Sequence, residues 1–235
     1  MKLSSSVFLI VLVLIVDQAS KVVIKTNFYY GEEISIFGLD WFKLHFIENE
    51  GMAWGTVIPG EYGKLILTVF RLIAICGIGY WMYDVSTKRK SDFLSVAIAL
   101  IFAGALGNIL DSVFYGIVFD ESTSTHLATL FNDKPYGTLF HGKVVDMFYL
   151  PIWEGQLPSW IPVYGGKLVS FFNAIFNVAD FSISVGVGIL IVFNKRAFTP
   201  PKLPAHVTIG KMTDEILLAN KIDEEIIKKN RTFSE

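Results

Sequence analysis

The chain has 235 residues, 52% of them hydrophobic and only 18% charged, with a mean hydropathy of +0.50. This composition excludes an ordinary soluble domain and points to an integral membrane protein. The formal net charge of −2 gives no footing for nucleic acid, and the single Cys76 excludes a disulfide framework. His45, His126, His141 and His206 are scattered without metal-ligand spacing, so no metal or cofactor is expected.

Four apolar stretches approach or exceed the ~20 helical residues needed to span a bilayer. They run over residues 3–24, 65–83, 93–115 and 168–193. The first has Lys2 ahead of an apolar core, as a signal peptide does. No small-x-small cleavage site follows, and it reads as a retained helix. Residues 25–63 contain ISIF and WFKLHFI, whose alternation predicts short strands punctuated by Gly31, Gly38 and Gly51. The link between helices two and three carries Lys88, Arg89 and Lys90. The fourth helix exits into Lys195 and Arg196, with Lys202 beyond. Basic residues at these ends predict that both termini are cytoplasmic, with outer segments at 25–63 and 116–167. Trp41, Trp54, Trp153 and Trp160 are expected as interface anchors. A membrane domain over 1–196 is followed by a polar cytoplasmic tail, 197–235, containing a short amphipathic helix. The predicted architecture is an all-α membrane protein with four transmembrane helices, a small β-rich extracytoplasmic cradle and an outer loop or lid.

Asp17, Lys21, Arg71, Asp111 and Asp180 fall inside the apolar stretches. A charge at the centre of a spanning helix costs about 2.5–3.5 kcal/mol on insertion scales and marks a functional site. At 1.5 Å rise per residue, Asp17 and Asp180 lie roughly 22 Å, and Asp111 roughly 30 Å, from the cytoplasmic ends of their helices. Three carboxylates thus reach a similar level near the outer face. Asp17 and Lys21 are spaced i,i+4 and can pair, either as a structural ion pair or as part of a site. Gly104, Gly107, Asn108 and Asp111 form one helical stripe with small residues for close packing. Asn173, Asn177, Asp180 and Ser184 are expected as one polar ridge on the fourth helix.

Five motifs then occur in order: Asp17, Gln18 and Lys21 as D-Q-x-x-K; Asn49, Gly51, Ala53 and Trp54 as N-x-G-x-A-aromatic; Gly107, Asn108 and Asp111 as G-N-x-x-D; Val144, Val145 and Asp146 as V-V-D; and Phe176, Asn177, Ala179, Asp180, Ile183 and Gly186 as F-N-x-A-D-x-x-I-x-x-G. On these residues, which span 17 to 186, the chain resembles the lipoprotein signal peptidases, the type II signal peptidases of bacteria.

The resemblance implies that Asp146 and Asp180 are the catalytic pair of an intramembrane aspartyl endopeptidase. Its substrate would be a diacylglyceryl-modified prolipoprotein, cut just before the lipidated Cys. Two carboxylates held close share a proton and can act as base and acid toward a water and a carbonyl, with no metal. Asn49 and Gly51 are expected in an outer cradle over the substrate. Asn108 and Asn177 either glue helices together or hold the pair. Asp111, Asp17 and Lys21 are expected as supports. The resemblance also implies an inner-membrane location with the site near the periplasmic face, contact with membrane lipids, and inhibition by cyclic peptides of the globomycin type. A monomer suffices.

Two features depart from the family pattern. The family commonly has Arg after the G-N-x-x-D aspartate, where this chain has Ser112. Arg71 is either its substitute or a snorkelling structural cation. The stretch at about 120–143 is an insertion, expected to enlarge the lid. A proton-coupled transporter would also explain intramembrane charges, but it predicts internal repeats that this sequence lacks. A non-enzymatic membrane scaffold is the third reading.

Overall fold

The computed structural model describes residues 1–50, 62–88 and 91–199. Gly51, Ala53, Trp54, Arg89, Lys90 and the tail helix expected beyond residue 200 lie outside the described residues.

Helix α1 spans Leu3–Asn27, α2 Gly63–Thr87 and α3 Asp92–Leu110. Helix α3 continues through a π-helical turn, Asp111–Tyr115, into a short α4, Gly116–Val118. Among the described residues, three helices are long and apolar enough to cross a membrane: Leu3–Asn27, Gly63–Thr87 and Asp92–Val118. A shorter apolar helix, α5, covers Val178–Val192, followed by α6 over Asn194–Phe198. Helix α1 buries charged and polar groups beside apolar ones while exposing large apolar side chains. On α1 the buried stripe is Ser6, Ile10, Asp17, Lys21 and Ile24, whereas Phe8, Leu12, Ile15 and Val16 face outward. Polar groups inside and apolar groups outside suit a lipid solvent.

Helix α3 is the central post, packing on α1, α2 and α5. Its small residues allow this. Ala97, Ala99 and Ala103 are fully buried. A Cβ on Gly104 would lie 2.2 Å from the Ala179 carbonyl oxygen on α5, and one on Gly107 would lie 2.6 Å from the Asp17 carboxylate on α1. Both glycines are therefore required by the close approach of neighbouring helices.

A four-stranded antiparallel sheet sits at the head of the helices in the order β1-β2-β3-β6. Its strands are β1 Glu33–Ser35, β2 Lys43–Asn49, β3 Val144–Tyr149 and β6 Ile175–Phe176. A separate hairpin pairs β4, Trp153–Gln156, with β5, Leu168–Phe171. The predicted β-rich cradle is thus present. It includes the V-V-D segment, which falls in the outer segment 116–167, as a full strand paired with β2.

The fourth apolar stretch differs from its expected bounds. Residues 168–171 and 175–176 are strands, and the helix begins only at Val178. The cause is local. Asn177 caps the helix in a reciprocal box: its side chain accepts from the Asp180 N–H, and the Asp180 carboxylate accepts from the Asn177 N–H. Asn173 is therefore not part of a helical ridge, and Asn177 and Asp180 belong to a helix terminus.

The sheet has two distinct faces, set by the period of two along each strand. Ile47 and Asn49 on β2, with Val144 and Asp146 on β3, line a cavity. Phe46, Val145 and Met147 point the other way, into a core shared with Ile24, Tyr115, Phe119 and Ala128. Ala128 and Tyr136 of the insertion thus pack on the reverse face of the sheet, while Phe140 packs on Ile75, Ile109 and Val113 of the helices. No residue of 120–143 lines the cavity, and the part of the insertion behind the sheet acts as a brace. Its anchor is Lys25, which pairs with Glu48 and donates to the Ser122 hydroxyl at 2.8 Å. The Lys25 ammonium lies 5.0 Å from the Tyr136 ring centroid, 5.2 Å from that of Phe119 and 6.0 Å from that of Phe46, within cation–π range of all three.

Gly104→Ala should drive α5 away from α3, with an overpacking cost of about 1–3 kcal/mol. A lower melting temperature of the purified protein in detergent is expected. An unchanged one would mean that the α3–α5 approach is looser than described.

Candidate active site

Lys21 is the hub. Its side chain and those of Asp17 and Asp111 are fully buried. An ammonium has three N–H donors and no acceptor, and three acceptors surround this one. They are Asp17 Oδ2 at 2.9 Å, Asp111 Oδ2 at 2.8 Å and Asn108 Oδ1 at 2.8 Å. The two carboxylates also reach further. Asp17 Oδ1 accepts the Ala179 N–H in the first turn of α5 at 2.8 Å. Asp111 Oδ1 accepts from the Gln18 amide at 2.8 Å, and Asp111 Oδ2 from the Val145 N–H of β3 at 3.3 Å.

The hub fixes the direction of each neighbouring amide. Because Lys21 can only donate, the carbonyl oxygen of Asn108 must face it. The Asn108 NH₂ then points at Asp180 Oδ1, at 2.8 Å. The same logic applies to Asn177. Its side-chain oxygen is committed to the Asp180 N–H at 2.9 Å, which turns its NH₂ toward Asp146 Oδ1 at 2.7 Å. Asn49, from β2, donates to Asp146 Oδ2 at 3.2 Å. Asp146 and Asp180 are thereby bracketed by three asparagines. Both line one cavity of about 700 Å³, whose other lining residues include Asn49, Arg71, Ile75, Asn108, Asn173 and Ile183.

Electrostatics single out Asp146. Only 2% exposed, its carboxyl is pushed up to about 7, first by burial and then by the charge of Asp180; the hydrogen bonds from Asn49 and Asn177 and the Lys21 charge pull the other way.

Of the residues singled out from the sequence, the structure joins Asp17, Lys21, Asn49, Asn108, Asp111, Asp146, Asn177 and Asp180 into one network. Gly51 lies outside the described residues. Gln18 and Tyr115 carry no expected role from the sequence, although both belong to the network. The Gln18 amide bridges Asp17, Asp111 and the Gly107 carbonyl, and its oxygen accepts from the Tyr115 hydroxyl at 3.2 Å. Their signals were present, Gln18 lying inside D-Q-x-x-K and Tyr115 one turn past Asp111. Ser112 is buried and donates back to the Asn108 carbonyl at 3.0 Å. Among the described residues, no group of three or more His, Cys, Asp or Glu could hold a metal ion.

Two carboxylates line one cavity at the head of apolar helices, and by its family the chain is an aspartic-type peptidase. Residues 9–195 match the family described as signal peptidase (SPase) II, and the chain belongs to that family. It is 44% identical over 191 residues to the lipoprotein signal peptidase of Porphyromonas gingivalis, covering 80% of this chain and 81% of that protein. It is 31% identical over 229 residues to the lipoprotein signal peptidase of Amoebophilus asiaticus, covering 94% and 90%. A solved bacterial membrane enzyme, determined by the in meso method, superposes with a TM-score of 0.53 at 25% identity, covering 86% of this chain and 95% of its own.

Removing the hub cation leaves two buried carboxylates facing each other. Lys21→Met should lower stability by about 3–5 kcal/mol, the usual penalty for an orphaned buried charge. Thermal unfolding in detergent checks this, and a wild-type melting temperature would show that Lys21 is not the hub.

Proposed function

We propose that the chain is an intramembrane aspartyl endopeptidase that removes the signal peptide from diacylglyceryl-modified prolipoproteins, cutting just before the lipidated Cys. The observation that carries this reading is the placement of Asp146 and Asp180 on one cavity, each carboxylate held by asparagine donors. In this reading α1, α2, α3 with its extension, and α5 all span the bacterial inner membrane. Both termini are cytoplasmic, and the sheet and its cavity lie toward the periplasmic face. The basic Lys88, Lys195 and Arg196 at the opposite ends of the helices support that orientation. The chain works as a monomer among membrane lipids.

Chemistry follows from the pair. Asp146 carries the shared proton at rest, consistent with its elevated pKa of about 7. Asp180 takes a proton from a water whose oxygen attacks the scissile carbonyl carbon, while Asp146 gives its proton to the carbonyl oxygen. Collapse of the resulting gem-diol breaks the C–N bond. Asp180 then protonates the leaving nitrogen, and Asp146 recovers a proton from a gem-diol hydroxyl. Asn108, Asn177 and Asn49 keep both carboxyls aimed without taking part in proton transfer. The signal segment lies in the groove made by α2, α3 and α5, whose lining is mainly apolar: Ala74, Ile75, Ile78, Ala105, Ile109 and Ile183. Cyclic peptides of the globomycin type would occupy the same cavity.

The test uses purified protein with a diacylglyceryl-modified precursor peptide. Asp146→Asn and Asp180→Asn should each reduce cleavage by at least about 10²–10⁴-fold, the usual contribution of a positioned acid or base. If both variants cut at the wild-type rate, the pair is misassigned. The acid role of Asp146 also fixes a pH dependence. Its protonated form declines as pH rises through about 7, so the rate should fall there. A rate that climbs steadily across this window contradicts the assignment.

A further inference from the structure

Arg71 is a cation that the mechanism leaves unused. It lies on α2 eight residues from Gly63, or roughly 12 Å along the helix, within a segment of membrane-spanning character. It lines the same cavity as Asp146 and Asp180. Arg71 is half-buried, and the two cations fully buried among the described residues are matched: Lys21 by Asp17 and Asp111, Lys25 by Glu48. Arg71 has no ion pair or hydrogen bond among the described residues. A guanidinium cannot shed its proton, so in a wall of apolar residues its five donors require an acceptor from elsewhere. The carboxylate whose field reaches it is Asp180.

Its position indicates what that acceptor is. Arg71, Ala74, Ile75 and Ile78 share one face of α2 and all line the cavity, at spacings of three and four residues. Arg71 therefore stands at the seam between the apolar groove and the polar end formed by Asn49, Asn108, Asp146, Asn173 and Asp180. A helical segment in a bilayer keeps its carbonyls internally bonded. To reach the two carboxylates, its chain must leave the helix at the cut, which frees the last carbonyls. A planar fork of donors at the seam matches such oxygens better than a point charge would.

We propose that Arg71 is a substrate-binding residue that receives backbone carbonyl oxygens of the substrate peptide on the signal side of the cut. The inference rests on the peptidase reading and deepens it. A second source of carbonyl oxygens is the glyceride ester of the substrate's own lipid, and the test separates the two.

Steady-state cleavage would be measured for wild type, Arg71→Gln and Arg71→Lys in the full-length protein. Each would be given the diacylglyceryl precursor peptide and a dialkyl ether analogue lacking ester carbonyls. The expected result is a KM about tenfold higher for Arg71→Gln with kcat within about threefold, partial recovery in Arg71→Lys, and the same ratio on both substrates. A wild-type KM in Arg71→Gln overturns the proposal. So does an effect that vanishes on the ether analogue, which assigns the contact to the lipid ester. So does an equal loss in both variants accompanied by a lower melting temperature, which makes Arg71 structural. Failure of the underlying reading looks different: wild type would not cut at all, or the Asp146→Asn and Asp180→Asn variants would cut normally.

Discussion

One buried ammonium organises this molecule. Lys21 meets three acceptors in a medium where a lost hydrogen bond is costly. Each acceptor belongs to, or leads to, a different part of the fold. Asp17 holds the first turn of α5 through the Ala179 N–H. Asp111 holds β3 through the Val145 N–H. Asn108 is turned so that its amide meets Asp180. A single cation on α1 thus sets the position of both strand-borne Asp146 and helix-borne Asp180, while contacting neither. The capping box at Asn177 completes the arrangement, because one side chain both starts α5 and holds Asp146.

Much of this was legible in the sequence. Charges in apolar runs cannot be hidden by propensity, so Asp17, Lys21, Asp111 and Asp180 announce themselves, and the i,i+4 spacing pairs the first two. The stripe of Gly104, Gly107 and Asn108 likewise follows from helical period. What period could not reveal was the start of α5. An apolar run from Leu168 reads the same for a strand leading into a helix as for one long helix, and only the reciprocal Asn177–Asp180 bonds decide it. Strand β3 was hidden for a similar reason. VVDMFY is buried on both faces, with Val145 and Met147 in one core and Val144 and Asp146 at the cavity, so it lacks the polar–apolar alternation of a half-exposed strand. The role of the insertion depended on which sheet face it covers, a tertiary fact with no local signature.

The two faces of the sheet separate two kinds of work. The cavity face carries the hydrogen-bonded carboxyl of Asp146 and the donor Asn49. The reverse face carries aromatic rings closed around Lys25 and Glu48. Alternation along β2 places Glu48 and Asn49 on opposite sides, so the brace and the site are one residue apart in sequence yet do not share a surface. Rigidity supplied from behind holds the polar face to a fixed geometry.

The bond from the Val145 N–H to Asp111 spans 34 positions of sequence and pins both ends of the inserted stretch. Between two fixed points a chain behaves as a closed loop, and the entropy of closing it grows only logarithmically, by about 0.6 kcal/mol for each doubling of length. Segment length between these anchors is therefore nearly decoupled from the geometry of the pair. The chain could lengthen or shorten between these ties, or carry a grafted module on the reverse face of the sheet, while the distance from Asp111 to β3 stays fixed by the Asp111 carboxylate and by the Gly142 N–H bond to the Ser112 carbonyl.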